Sequence, residues 1–528
     1  MSAQTTAEAS KPTEETVPFR GIVTLCTMLA TLMQALDSTI ANVALPYMQG
    51  TLAATSDQIT WVLTSYIVAA AIMTAPVGWM AQRFGRKRLF IICIVGFTGA
   101  SVLCGLATSL SQMVAYRVLQ GLFGAALVPL SQATMLDIYP LEKRGSAMAL
   151  WGMGVMVGPI LGPTLGGYLT DVFDWRYVFF VNVPFGILVT VGIALCMQES
   201  DRKSELKFDW IGFAALGMAV GALQLLLDRG EQVNWFESSE IIIEAILSGT
   251  GFYLFIVHML TAKKPFIPPH IFKDANFVAG LFMIFALGMI LLASAALLAP
   301  YLQTLGGYPV EQAGLLMAPR GMGTMLAMSI AGRLTARFDP RILIAFGISL
   351  LIVTLWEMSY WTPDVSRQTM ISVTVVQGFG LGFVFTPMSV ITFATLDPKA
   401  RTDGAAMFSL TRNMGSAIGI SIMQFLLARN VQIMHSTISE HVTPFNRALQ
   451  TGAPAAYWGI DTAYGPQLLN NIINRQASII AYANDFRLMM FIAIPTLLLL
   501  FFMKPPQIRT KRSEVKVKSD EQQHTIMD

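Results

Sequence analysis

The sequence predicts an all-α integral membrane protein with fourteen transmembrane helices arranged as 6+2+6. Two parallel, pseudo-symmetric six-helix halves would flank two inserted helices. Three observations carry this expectation: an apolar composition, a sided distribution of basic residues and an internal repeat. The chain of 528 residues is 54% hydrophobic and 13% charged, whereas soluble domains are about 25% charged. One anchor on a soluble enzyme would not lower the charge content this far, so most of the chain belongs in lipid.

A helix needs about 20 apolar residues to cross a bilayer. The first six candidate spans run near 21–44, 58–80, 89–108, 112–136, 146–169 and 176–197. Two more run near 209–227 and 240–260. The last six run near 276–300, 312–332, 342–361, 369–395, 403–427 and 487–503. The first run is too long for a signal-peptide core, and no small-residue cleavage site follows it. With the N-terminus inside and the spans alternating, twenty-five Lys and Arg residues fall inside and six outside, with Arg487 at a border. This obeys the positive-inside rule along the whole chain, and dropping one span would invert half of the loops. Both termini are therefore expected in the cytoplasm. The expected organisation is a tail (1–20), a six-helix bundle (21–197), a two-helix linker (198–274), a second bundle (275–504) and a basic tail (505–528). The second bundle includes one long outer segment, 428–486.

The repeat supports that division. GWMAQRFGRKR (78–88) recurs as GRLTARFDPRI (332–342), an offset of 254. VLQG (118–121) matches VVQG (375–378) at 257, and RGSAMAL (144–150) resembles TDGAAMF (402–408) at 259. Parallel halves with the substrate site between them are an architecture of membrane transporters, in which one half rocks against the other.

Several residues stand out chemically. Asp37 lies in the otherwise uncharged run MLATLMQALDSTIANVALPYM (28–48), and Arg117 lies in span 4. At 1.5 Å per residue both sit in the outer half of the bilayer, within several ångströms in depth. A charge at a helix centre costs roughly 2.5–3.5 kcal/mol on insertion scales, so opposite charges at one depth would offset each other. The position aligned with Arg117 in the second half is Thr374, so the fold itself does not require the arginine. Asp37 and Arg117 are expected to couple protons, against the alternatives of a purely structural ion pair or of two groups separately wet by a cavity.

Span 5 carries Gly154, Gly158, Gly162 and Gly166, each four apart, with Pro159, Pro163 and Gly167 among them. This spacing makes one stripe without side chains, which lets another helix approach closely. Mid-span prolines remove backbone hydrogen bonds and bend a helix. The expected role is a bendable sliding surface between the halves; ordinary tight packing is the alternative. Gln34, Trp61, Tyr66, Gln120, Arg320, Glu357 and Arg412 are the polar candidates for the substrate cavity.

Other chemistry is excluded. The chain has no phosphate-binding Gly-rich loop with a lysine, no catalytic triad and no metal cluster, and its cytoplasmic segments are too short for a nucleotide-binding domain. No enzyme activity, cofactor or metal is expected. His435 and His441 are spaced six apart, poorly for a helical metal site, and the four cysteines (Cys26, Cys93, Cys104 and Cys196) all fall inside apolar runs.

The motifs together resemble the major facilitator superfamily, specifically the fourteen-span drug:proton antiporters of the EmrB/QacA type. The resemblance covers about residues 20 to 504 and rests on LDSTIANVALP (36–46), GWMAQRFGRKR (78–88), RVLQGLFGAALVP (117–129), GPILGPTLGG (158–167) and WRYVFFVNVPFG (175–186). It implies the major facilitator fold and proton-coupled efflux of amphipathic toxic compounds across a bacterial inner membrane by alternating access. It also implies a cytoplasmic gate at Gly78, Arg83, Gly85, Arg86 and Lys87. The acid that usually precedes the first arginine is here Gln82, which leaves Asp137 to pair with Arg83 or Arg86. Gram-negative members work with a periplasmic adaptor protein of EmrA type and an outer-membrane channel, for which the outer segment is a candidate docking surface. A dedicated exporter of one natural product, such as a siderophore, is the alternative; an importing symporter or a non-transporting scaffold fits less well.

Overall fold

The computed structural model describes residues 19–199, 207–263, 265–397, 400–442, 445 and 464–504, all helix, turn or loop. Residues 1–18 of the first expected tail, the whole of the second, and residues 443–444 and 446–463 of the outer segment lie outside them. The first half contains α1 (Arg20–Thr51), α2 (Ser56–Ile59), α3 (Trp61–Thr74), α4 (Val77–Phe84), α5 (Arg86–Gly105), α6 (Leu110–Gly124), α7 (Leu127–Ile138), α8 (Arg144–Val172), α9 (Tyr177–Phe180) and α10 (Asn182–Cys196). Next come α11 (Trp210–Arg229) and α12 (Ser239–Thr261). The second half contains α13 (Ala275–Pro300), α14 (Val310–Leu334), α15 (Pro340–Met358), α16 (Arg367–Thr392), α17 (Arg401–Ser439) and α18 (Gly465–Leu499).

Among the described residues eleven helical stretches are long and apolar enough to cross a membrane, or twelve if the bent pair α3–α4 is one span. That pair turns by 59° at Ala75–Pro76, where proline removes a backbone donor and crowds the preceding turn. Side-chain caps set several starts: Ser109 accepts from the Gln112 amide and Asp274 from the Phe277 amide, satisfying donors that a helix start leaves free. Between α4 and α5 the chain turns on Gly85 alone, at φ 88°, a conformation that side chains disfavour.

The repeat reappears in the packing. In the first half α1 packs on α8, α3 on α6 and α5 on α6; in the second α13 packs on α17, α14 on α16 and α15 on α16. These are the same pairs, shifted by one half. The halves meet through the crossed pairs α8 with α14 and α4 with α17. A Cβ on Gly145 would come 2.6 Å from the Gly332 carbonyl oxygen, and one on Gly332 would come 2.8 Å from that of Gly145. Glycine at both positions is what lets α8 and α14 touch backbone to backbone. Deeper in the contact, Trp151 of α8 stacks on Phe385 of α16 at 6.0 Å between centroids.

The α11–α12 pair packs on α3 and α17, one from each half. Thr64 of α3 hydrogen-bonds Asp228, and Ser421 of α17 donates to the Leu227 carbonyl. Large aliphatic side chains such as Ile92, Val95, Leu195 and Leu260 point outward, as helices bathed in lipid require. Helices α17 and α18 have 39 and 35 residues; roughly 58 Å of α17 exceeds a hydrocarbon core of about 30 Å. Their projecting ends are joined by His435 and Asn470 at 2.8 Å.

Candidate functional site

Asp37 lies on α1 and is wholly buried, and its carboxylate is the hub of a network drawn from four helices. Arg117 Nη1 of α6 donates to Oδ2 at 2.7 Å. Gln120 Nε2, one turn on, donates to Oδ1 at 2.8 Å, and Asn182 Nδ2 of α10 donates to the same oxygen at 3.2 Å. Both amides also donate to Ser101 Oγ of α5, at 3.2 and 3.0 Å, and that hydroxyl donates to the Phe179 carbonyl at 2.8 Å. Arg117 is held further by the Val62 carbonyl at 3.0 Å and Gln120 Oε1 at 2.7 Å. Its guanidinium lies 4.2 Å from the Tyr66 ring centroid, a cation–π contact strengthened by the absence of water.

Asp37, Arg117, Gln120, Asn182 and Ser101 are each 0% exposed. The pair is closed to solvent, so its charges interact at low effective dielectric, where opposite charges hold strongly and an unpaired one is costly. Two polar atoms of the shell, Arg117 Nη2 and Asn182 Oδ1, have no partner among the described residues. Ser101 and Asn182 were not among the sequence candidates; the one signal for Asn182 is a lone amide in the apolar run VFFVNVPFG.

The stripe on α8 differs from its expected role. A Cβ on Gly158 would lie 2.6 Å from Ala35 Cβ, and Gly154, Gly162 and Gly166 face Met28, Thr39 and Ile40. All four partners belong to α1, in the same half. The stripe seats the helix that carries Asp37, whereas Gly145 and Gly152 on α8 face the other half. A helix has several faces, and spacing alone does not say which partner each one meets. Gly167 faces open space, and α8 runs unbroken past Pro159 and Pro163.

At the end of the molecule carrying loop 83–88, the halves are latched by charge. Asp137 binds Arg86 Nη1 through Oδ2 at 2.5 Å and Arg401 Nη1 of α17 through Oδ1 at 2.7 Å. Of the two arginines expected to pair with Asp137, Arg86 does so, while Arg83 Nη1 is buried without a partner among the described residues. Arg86 Nη2 also donates to Thr402 at 3.1 Å, and the Lys87 amide donates to Glu199 at 3.2 Å. Gln82, where an acid was expected, donates to Asp403 of α17 at 2.8 Å. The carboxylate thus stands across the interface, and Gly78 leaves room for it: a Cβ there would overlap the Asp403 side chain. Asp137→Asn is expected to loosen this latch. Each exposed pair is worth about 0.2–1 kcal/mol, enough to shift a conformational balance several-fold. The readout is thiol labelling of a cysteine placed at buried Ala149, which should speed up in the variant; an unchanged rate would refute the latch.

Only three of the seven expected cavity residues are brought together. Gln120 and Tyr66 belong to the Asp37 network, and Gln34 Nε2 reaches Tyr66 Oη at 3.4 Å. Trp61 lies under the Arg229 guanidinium of α11 at 5.3 Å. Glu357 is in the last turn of α15. Arg320 and Arg412 lie in the second half, on α14 and α17. Serving a buried guanidinium removes Gln120 and Tyr66 from any open lining.

Residues 27–420 match the family model described as Major Facilitator Superfamily. The chain is 35% identical over 492 residues to Multidrug export protein EmrB of Escherichia coli (strain K12), covering 92% of this chain and 95% of that protein. It is 33% identical over 486 residues to Fatty acid resistance protein FarB of Neisseria gonorrhoeae, covering 92% and 96%. Among solved structures it resembles the human organic anion transporter MFSD10 (TETRAN) with a TM-score of 0.58 at 13% identity, covering 90% of this chain and 100% of that one. The proton:xylose symporter XylE resembles it with a TM-score of 0.56 at 14% identity, covering 89% and 94%. At such identities the structures speak for the fold alone. A helical fold of two repeated halves, a family match over most of its length and relatives aligned nearly end to end place this chain in the Major Facilitator Superfamily.

Proposed function

We propose that this protein is a proton-coupled exporter of amphipathic toxic compounds, working by alternating access in a bacterial inner membrane. The relatives named for multidrug export support the substrate class. In this reading the chain has fourteen spans as 6+2+6, with both termini cytoplasmic. Helices α8 and α14, of 29 and 25 residues, add two spans to the twelve that pass on hydropathy when α3–α4 counts as one. The basic loops supply the orientation. The projecting ends of α17 and α18 offer an adaptor protein a place to dock outside the bilayer.

The observation that carries the reading is the shut Asp37–Arg117 pair, built into one half only. A proton arriving from outside removes the Asp37 charge and weakens its hold on Arg117. The network that joins α1, α5, α6 and α10 then relaxes, favouring the other conformer. Release of the proton on the cytoplasmic side restores the pair. The membrane potential adds about 2.3 kcal/mol per charge per 100 mV.

The test is reconstitution in vesicles with an imposed pH gradient and a panel of dyes. Asp37→Asn should abolish gradient-driven export while leaving dye binding in place. Full coupling in that variant would sink the mechanism. Movement of a siderophore with no dye movement would favour a dedicated exporter.

A further inference from the structure

The second half repeats the Asp37 site with its charges rearranged. The offset of 254 at the nearest match places Asp37 opposite Leu291, one turn from Ser294 on α13, and the offset of 257 carries Gln120 to Gln377 on α16. It carries Arg117 to Thr374, whose hydroxyl donates to the Met370 carbonyl of its own helix at 2.8 Å. A guanidinium nevertheless reaches this place from another helix: Arg320 Nη2 of α14 donates to Ser294 Oγ at 2.9 Å and to the Leu291 carbonyl at 3.1 Å. Where the first half has a carboxylate facing an arginine, the second half has a hydroxyl facing one.

From this geometry we propose that Arg320 anchors a subsite for amphipathic carboxylates, whose head group takes the place that the Asp37 carboxylate fills in the first half. The proposal deepens the export reading above by naming one substrate class. Arg320 is 8% exposed, yet its recorded acceptors are both neutral, and it makes no ion pair among the described residues. A buried cation without a counter-ion favours an anion over water or a neutral guest. Nε and Nη1 carry no hydrogen bond within the described residues; they lie on opposite edges of the guanidinium, so either one offers a carboxylate a single charge-assisted hydrogen bond.

The surroundings fit the same guest. Gly378, next to Gln377, lies against the Arg320 carbonyl, so the twin of Gln120 is on the adjoining turn. Among the described residues its Nε2 meets only the Met358 sulfur at 3.7 Å, a weak acceptor, and its Oε1 has no partner. Ile290, Ala293, Leu297 and Leu298, the α13 neighbours of Ser294, are buried and apolar, so none of them competes for the arginine. The arginine also lies on the helix that meets the other half, two turns from Met328, which contacts Gly152 of α8. Of the buried carboxylates of this half, Asp403 lies at the Gln82 contact and Asp485 on α18 makes no ion pair among the described residues, so neither is seen to balance Arg320.

The test uses the full chain in lipid nanodiscs with two fluorescent probes, a dansyl-labelled undecanoate and the cation ethidium. Arg320→Gln should weaken undecanoate binding about tenfold or more, the scale of a lost charge-assisted contact, and leave ethidium unchanged. Arg320→Lys should restore part of the loss. Ser294→Asp keeps the arginine but gives it an internal counter-ion, and it should also abolish undecanoate binding. No undecanoate binding by the wild type, unchanged affinity in Arg320→Gln, or equal losses for both probes would each overturn the subsite. A wild type that binds undecanoate through Arg320 but moves no probe under a pH gradient would overturn the export reading and leave the subsite standing.

Discussion

Arg117→Leu is expected to cost about 3–5 kcal/mol of stability, the scale for removing one partner of a buried ion pair. The loss is large because Asp37 is 0% exposed and cannot regain water once its arginine is gone. The remaining donors, Gln120 and Asn182, are neutral amides that satisfy the oxygens without balancing their charge. Adding Asp37→Asn to Arg117→Leu should recover much of the loss, since the double variant buries no charge. A cycle of the wild type, both single variants and the double variant, unfolded by denaturant in detergent, measures the coupling directly. A coupling near zero would mean that the two groups are wet separately and would remove the basis for a proton switch. Transport should fail in all three variants, because stability and coupling are separate properties of the pair.

The second large effect is expected at Gly158. A leucine there must displace the α1 backbone, since even a Cβ would come 2.7 Å from the Ala35 carbonyl carbon and 2.8 Å from the Leu36 nitrogen. Backbone atoms do not step aside as a flexible side chain can, and overpacking of this kind costs about 1–3 kcal/mol. Because Asp37 is the next residue on α1, the displacement is carried straight into its hydrogen bonds. Gly158→Leu should therefore lower both thermal stability and gradient-driven export. Gly167→Leu, two turns further on and facing open space, should do neither and serves as the matched control. Equal effects at the two positions would show that helix flexibility, not contact with α1, is what the glycines supply.

The comparison of Gly158 with Gly167 also marks where reading the sequence stops. A spacing of four identifies a bare stripe on α8, because periodicity is a property of one helix. Which helix fills the stripe depends on how the bundle closes, and it is α1 of the same half. The same limit explains Ser101 and Asn182. Each is an ordinary small polar residue in an apolar run, and only the meeting of α5, α6 and α10 around α1 makes them ligands of one carboxylate. Asp403 was visible inside the repeat, but the crossing of α17 over α4 is what brings it to Gln82 and Gly78.

The sequence by itself determined the helical membrane class, the doubled architecture and the matching depth of Asp37 and Arg117. Hydropathy, repeat offsets and depth along a helix of known rise are all one-dimensional quantities, and a chain in lipid must obey them because its backbone cannot go unsatisfied there. Only the tertiary structure decided which faces meet: the stripe on α1, the Asp137 latch between Arg86 and Arg401, and the arginine that reaches Ser294 from α14 rather than α16. Those contacts depend on the rotation of each helix about its axis and on which neighbours the halves bring together, and no local pattern encodes either.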